Sequence, residues 1–365
     1  MRAIITGQVG MDKRPFLDAV VESASQRGAT IHPYHVGERM YAEAPDVARG
    51  RILNLPLSRL QALRRSVFNT VIADSAEQRD ILVNTHATFR WRHGLFSAFD
   101  FDQTRRLKAD LFVCLVDNIE VVHRRLHDEH EIDAKLKDCM VWREEEIIAT
   151  ELMAQAVGGR FFIVARGRHH ENITTLRRLI LEPDAKKVYP SFPMSHVVDM
   201  PDVLAEIDAF RAALADRFIT FDPGDVDEKA LLDRAIAAAK QGRDFVPAAL
   251  PTGEPFRVSV RETLDIAGDI DGQIYMRDFK LIDQADMIVS LVPELPDGAP
   301  ALSSGVEREL QHAYEHAKQV YVIWKPKKNP SPFITETATK VFRSVDEALD
   351  HFDGAGFNTK SNLFA

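Results

Sequence analysis

The chain has 365 residues, 45% hydrophobic and 28% charged, with 18 glycines and 18 prolines. That composition excludes disorder, collagen-like repetition and a low-complexity scaffold. A net charge of −9 argues against a nucleic-acid backbone as main partner, and two cysteines, Cys114 and Cys139, are too few for a disulfide framework or a four-thiolate zinc site.

At about 150 residues per domain the length implies two domains. The chain runs directly into a strand-like stretch, 3–6, with no long apolar region and no small-residue cleavage site. No secretory leader is expected, and a reducing cytoplasm suits the two thiols. The apolar runs are far short of the ~20 residues a bilayer needs. Strands are predicted at 2–6, 31–36, 81–84, 111–116 and 161–165, then at 188–191, 218–221, 287–292, 320–324 and 341–343. Most are continuous apolar runs separated by helical patterns, which predicts parallel sheets covered on both faces. The expected architecture is α/β: two three-layer α/β/α domains with mainly parallel sheets. Pro183 ends an amphipathic helix and opens a charged linker, which divides the chain into 1–182, a linker 183–186, 187–353 and a tail 354–365. The stretch 241–256, with three prolines and two glycines, reads as a long loop. In the tail, Phe357 and Phe364 suit either docking on a partner or a frayed end.

The first strand leads into Gly7-Gln8-Val9-Gly10-Met11-Asp12-Lys13-Arg14 and then a helix. This is the position of a phosphate-binding loop. Such a loop needs glycines so that N–H groups converge on phosphate oxygens, a lysine for charge and a hydroxyl for Mg²⁺. Gly7, Gly10 and Lys13 fit, while Asp12 stands where the last glycine belongs and Arg14 where the hydroxyl belongs. Further on, Asn84-Thr85-His86-Ala87-Thr88 resembles the Asp-Thr-His-Ala-Thr segment of archaeal-type adenylate kinases. The segment 109–126 resembles the strand and arginine-bearing helix that enter their lid, and Trp142-Arg143-Glu144 sits where they place a lid-exit arginine. The resemblance spans about 1–182. It implies a P-loop nucleotide-kinase fold, with Arg124, Arg125 and Arg143 near a phosphate path and ATP with Mg²⁺ as the cofactors. Three departures fall at the chemistry: Asp12 brings a negative charge, Arg14 lacks the hydroxyl, and Asn84 replaces the acid that holds the metal's water. For Lys13 and the arginines, an ion-paired surface role is the alternative, and His86 reads as a core histidine.

The second half opens with a strand ending in Tyr189-Pro190-Ser191, where open α/β sheets line their ligand crevice. Ser304 and Glu307 have capping-box spacing at the start of a helix. Val306, Leu310, Ala313 and Ala317 form its buried stripe. Glu309 flanks that stripe, about 40° from Ala313, and is neither a cap nor clearly solvated. The helix dipole would favour its ionised form. This pattern resembles the nucleoside 2-deoxyribosyltransferase-like family, and within it the 2′-deoxynucleoside 5′-phosphate N-hydrolases. The resemblance covers roughly 187–353 and implies a Rossmann-like fold. It also implies Glu309 as nucleophile, Asp278 as the acid that orients or protonates, and Tyr189 as a flanking aromatic. Ser303, Ser304 and Gly305 would form the phosphate turn, with Ser191 beside it. Such a carboxylate attacks C1′ of a deoxyribose, a neighbouring acid protonates the departing base, and water or a second base resolves the glycosyl ester.

Each residue has a plainer alternative: Asp278 bonding a helix surface, Glu309 pairing with Arg308 or Lys280, Tyr189 in the core. Asp269 and Asp271 near Gly272 suit a ribose or cation contact, or a polar turn. The loop 241–256 and the insertion 294–302 are expected to wall the pocket. If the reading holds, the Asp278 and Glu309 carboxylates lie within about 8 Å of each other. The leading expectation is a nucleotide N-glycosidase or deoxyribosyltransferase, accompanied by a nucleotide-binding domain. The alternatives are an adenylate-type kinase with an accessory domain and a non-catalytic nucleotide sensor. The expected partner is a small-molecule nucleotide, with no nucleic acid and no membrane; a homodimer through the second domain is expected. The second domain needs no cofactor and no metal on this reading.

Overall fold

The computed structural model describes residues 1–91, 94–166, 171–194 and 197–357. The chain divides into two compact units, Met1–Leu181 with Asp225–Gly272, and Glu182–Gly224 with Gln273–Ala365.

The first unit begins with β1 (Arg2–Thr6), α1 (Lys13–Ser25), β2 (His32–His35), α2 (Val36–Glu43), α3 (Leu57–Asp74) and β3 (Ile81–Asn84). It continues through β4 (Thr88–Trp91), β5 (Gly94–Ser97), α4 (Phe101–Leu107), β6 (Leu111–Val116), α5 (Ile119–His130), α6 (Leu136–Val157), β7 (Arg160–Ala165) and α7 (Glu171–Leu181). The second unit supplies β8 (Lys187–Ser191), α8 (Pro201–Arg217) and β9 (Ile219–Thr220). The chain then returns to the first unit for α9 (Glu228–Lys240), β10 (Phe245–Ala249), β11 (Pro255–Ser259) and α10 (Val260–Asp265). After α11 (Ala267–Gln284) come β12 (Met287–Val292), α12 (Ser304–Glu315), β13 (Gln319–Trp324), α13 (Pro332–Thr335), β14 (Lys340–Phe342) and α14 (Val345–Gly354).

Both main sheets are parallel. The first has the order β2-β3-β1-β6-β7, so β1 lies between β3 and β6, with Ile4 opposite Val83 on one side and Phe112 on the other. All six residues of β6 are buried, as an apolar run covered on both faces requires. Ile4, Val83 and Phe112 share a core with Val67 and Phe68 of α3 and Met153 of α6. The second sheet has the order β14-β13-β12-β8-β9. Numbered along its own unit this is 2-1-3-4-5, whose direction of winding reverses between β8 and β12. Val188, Val289 and Phe342 meet Phe210 of α8 and Phe352 of α14 in its core. Each topological switch point thus follows a strand that carries a candidate site: β1 in one unit, β8 in the other.

The structure departs from the sequence reading in several places. The stretch 241–256 is not a loop: β10 and β11 form an antiparallel hairpin with Val246 opposite Val258. The segment 225–272 joins the first unit instead of lying in a continuous second domain. It is held there by polar contacts, since the Asp227 N–H donates to Asn118 Oδ1 at 2.9 Å and Arg143 pairs with Glu228. A second hairpin, β4 with β5, was not predicted. Its tip, 92–93, lies outside the described residues, as do Ser195 and Phe364. Asp269 and Asp271 sit in the first turns of α11, not in a turn, and pair with Lys137 and Lys229 at 3.2 Å each. Phe357 packs on Phe352 at 6.0 Å, so the start of the tail is held on its own unit. Cys114 and Cys139 are free and buried. No helix among the described residues is long and apolar enough to cross a membrane.

Candidate functional site

In the first unit, β1 runs into the loop 7–14 and α1. Gly7 has φ 142° and Gly10 φ 84°. A Cβ at Gly7 would lie 2.9 Å from the Leu115 carbonyl oxygen, so only glycine fits there. Asp12, at the position of a phosphate loop's last glycine, adopts the same left-handed backbone at φ 47° and precedes α1. The loop geometry has survived where the residue has changed. Lys13 is buried and its ammonium donates to the Gly7 carbonyl at 2.7 Å, with His86 at 3.3 Å. Burial lowers the Lys13 pKa to about 8, against an opposing pull from Glu146. His86 is held well below its usual range by burial and by the charges of Lys13 and Arg64, so it is neutral near pH 7.

Glu146 is the hub of this cluster. Its carboxylate accepts from the N–H groups of Gly7 (3.1 Å), Ala87 (2.8 Å) and Thr88 (2.8 Å), and from the Thr88 hydroxyl at 2.6 Å. One buried acid on α6 thereby ties the start of the loop 7–14 to the start of β4. The buried Arg64 donates to Thr85 Oγ1 at 3.0 Å, and burial lowers its pKa to about 10.

The three arginines of the kinase resemblance separate. Arg125 reaches the loop: it is buried, pairs with Asp117 at 3.1 Å and donates to the Gly10 carbonyl at 3.4 Å. Arg124 pairs with Asp128 at 2.5 Å and covers the Phe256 ring at 6.0 Å. Arg143 donates to the Asp117 carbonyl at 3.2 Å and pairs with the buried Glu228 carboxylate, so Glu228 meets the arginine that the resemblance assigns to phosphate. Arg166, at the end of β7, was missed by the sequence reading. It donates to the Met11 carbonyl at 2.8 Å and meets Asp12 at 3.3 Å. Arg14 turns to Glu38 and Asp18, and Asn84 bonds His35 at 3.0 Å.

In the second unit, Tyr189 and Ser191 lie at alternate positions of β8, on one face, and both are fully buried. The Tyr189 hydroxyl donates to Glu309 Oε1 at 2.9 Å, and the Ser191 hydroxyl donates to Oε2 at 2.6 Å. Glu309 is half-buried, and its pKa rises to about 8. Desolvation is the main cause, the nearby charge of Asp278 adds to it, and the two hydroxyls oppose it. The same surroundings, burial first and then Glu309 and Asp278, push the Tyr189 phenol well above its usual range. The structure therefore joins Glu309, Tyr189 and Ser191 by hydrogen bonds and puts Asp278 near enough for its charge to act on Glu309 and Tyr189. It leaves Glu309 protonated near neutrality, against the expected ionised carboxylate: burial outweighs the helix dipole.

The turn expected to hold phosphate, 303–305, differs in its cap. Ser303, not Ser304, is the N-cap of α12, and its hydroxyl accepts from the Val306 N–H at 3.2 Å. Glu307 thus falls outside the capping-box position, and α12 ends at Glu315, so Ala317 is not part of its stripe. Ser304 and Gly305 are exposed.

Residues 6–138 match the model of the AAA domain family. No curated protein matches the chain. Among solved structures it is similar to shikimate kinase from Bacteroides thetaiotaomicron, at 12% identity and a TM-score of 0.34, over 50% of this chain and 97% of that one. It is also similar to the tunicamycin resistance protein of Deinococcus radiodurans, at 14% identity and a TM-score of 0.27, over 44% and 98% of the two chains. The residues that match the AAA domain family lie in the first unit, a parallel α/β domain whose first strand runs into a glycine-bearing loop and a helix. The family match does not reach 187–353, and the comparisons do not support the deoxyribosyltransferase-like resemblance expected there.

Proposed function

We propose that the first unit binds the phosphates of a nucleotide at the loop 7–14 and presents them for transfer to a nucleoside monophosphate. The observation that carries this reading is Lys13, a buried ammonium at a glycine-lined loop, with Arg125 and Arg166 reaching the same loop. Backbone N–H groups and cations in that arrangement complement phosphate oxygens. The residues at positions 14 and 84 do not supply the usual Mg²⁺ contacts, because Arg14 and Asn84 replace the hydroxyl and the acid. No step is therefore assigned to a metal, and charge neutralisation falls to Lys13 and the arginines. The test is titration with ATP and ADP, with and without Mg²⁺, followed by an assay for ADP formed from ATP plus each nucleoside monophosphate. Lys13→Ala should weaken binding at least tenfold. Wild-type protein that binds neither nucleotide would end this reading.

A second reading is favoured by the Glu309 site. Two hydroxyl donors on one carboxyl, with a second acid close by, suit cleavage of the N-glycosidic bond of a deoxynucleoside monophosphate. Ionised Glu309 attacks C1′, the base leaves with a proton from Asp278, and water hydrolyses the ester. Tyr189 and Ser191 orient the carboxylate. Free base released from a deoxynucleoside monophosphate, and lost in Glu309→Gln, supports this reading. Identical traces from both proteins would remove it.

A further inference from the structure

On the second unit, outside the Glu309 site, Asp283 of α11 faces His312 and His316 at the end of α12. Their ligand-capable atoms all lie within 4.8 Å of one another. His312 and His316 are four residues apart, which puts both imidazoles on one helix face. The His312 ring is fixed on two sides: Nε2 meets Asp283 Oδ1 at 2.8 Å, and Phe279 stacks on it at 4.2 Å and 3°. The His316 Nδ1–H donates to the His312 carbonyl at 2.8 Å, which leaves Nε2 as that ring's remaining ligand atom.

We propose that Asp283, His312 and His316 form a binding site for a transition-metal dication of the zinc class. Two imidazoles and one carboxylate are a donor set such ions accept, with bonds of about 2.0–2.2 Å. A tetrahedral ion at those lengths needs donors about 3.4 Å apart, so the exposed Asp283 and His316 side chains must turn towards it, His316 away from its 4.0 Å contact with the His312 ring. The site lies at the C-terminal end of α12, where the helix dipole favours a cation. Lys318 brings a positive charge close by, but its ammonium is held by the Asp283 and Ala285 carbonyls at 2.6 and 2.7 Å. Mg²⁺ and Ca²⁺, which prefer all-oxygen sites, are not expected to bind. The ion would tie α11, which carries Asp278, to α12, which carries Glu309.

The test is titration of the full chain with Zn²⁺ against a chromogenic chelator, in wild type, Asp283→Asn and His316→Gln. Both substituted side chains are exposed, so the fold should persist. One equivalent should bind wild type, with each variant at least about tenfold weaker, by analogy with the cost of removing a supporting group. Co²⁺ should give visible d–d bands in wild type that fade in His316→Gln, and Zn²⁺ should raise the melting temperature of wild type alone. Equal affinity in all three proteins, or none in wild type, overturns the site. Neither variant touches the nucleotide-binding or Glu309 residues, so either result is independent of the functions proposed above.

Discussion

Glu309 shows how far one residue's surroundings can reverse its expected state. The unfolded carboxyl has the ordinary value of 4.5 and the folded one about 8. Between those values the native state holds a proton that the unfolded chain has lost, so stability falls as pH rises from about 4.5 to about 8, by about 1.4 kcal/mol per unit at most. Glu309→Gln has nothing to ionise. Its stability should lack that one fall, so that the difference between the two proteins grows across the window and the variant has the higher denaturation midpoint at pH 8. Urea titrations at pH 5, 7 and 9 check this, and parallel pH profiles for the two proteins would contradict it. If Glu309 is also a nucleophile, base release should rise as pH passes about 8.

Lys13 makes the opposite kind of case. Its pKa is lowered from 10.5 to about 8, and phosphate needs the ammonium form, so nucleotide affinity should weaken as pH rises above about 8. Removing the neighbouring acid should help: Asp12→Gly deletes a like charge to phosphate and suits the left-handed backbone, for a gain of about 1 kcal/mol, several-fold in affinity. Calorimetry at pH 7 and 9 tests both. The positive-φ turns at Gly7 and Gly10 were legible because such backbone constrains residue type locally. Arg166 was not, because its role comes from β7 meeting a loop over 150 residues earlier.

At the scale of elements, the strands were readable where both faces are buried. The stretches 2–6, 81–84, 111–116 and 287–292 coincide with β1, β3, β6 and β12, because a continuous apolar run has few other places to go. The β10–β11 hairpin hid because Pro247, Pro251 and Pro255 break its pattern, and the last opens a strand. The Ser303 cap lay one residue from its expected position because three consecutive polar or small residues, 303–305, can each start the helix. Glu228 is the larger omission. It opens α9, 85 residues beyond Arg143, and nothing local marks it as that residue's buried partner. Breaking a buried pair from one side strands a charge at a cost of about 3–5 kcal/mol. Glu228→Ala should therefore lower stability by about that much, whereas the double variant Arg143→Met with Glu228→Met should recover most of the loss. Denaturant midpoints of the two variants decide this, and a Glu228→Ala protein as stable as wild type would refute the pairing.

At the scale of the whole molecule, the division at Leu181 conceals a chain that goes out and comes back. Residues 1–182 look like a self-sufficient domain by length and by the continuity of their five parallel strands. Yet that fragment ends before α9 and the β10–β11 hairpin. It would leave the Arg143 guanidinium without Glu228, the Asn118 side chain without the Asp227 N–H, and the Arg124 and Phe256 contact unmade. A buried cation without its anion must draw in water or shift its packing, and either loosens α5 and α6 where they face Asp117 and the phosphate loop. The fragment 1–182 should therefore be less stable than the first unit in the full chain and should bind nucleotide more weakly. Arg143→Met, which removes the stranded charge, should restore part of that stability in the fragment while destabilising the full chain. Melting curves of the four proteins test this opposed pair of effects. A fragment that melts with the full chain would mean that the returning segment contributes nothing to the unit it packs against.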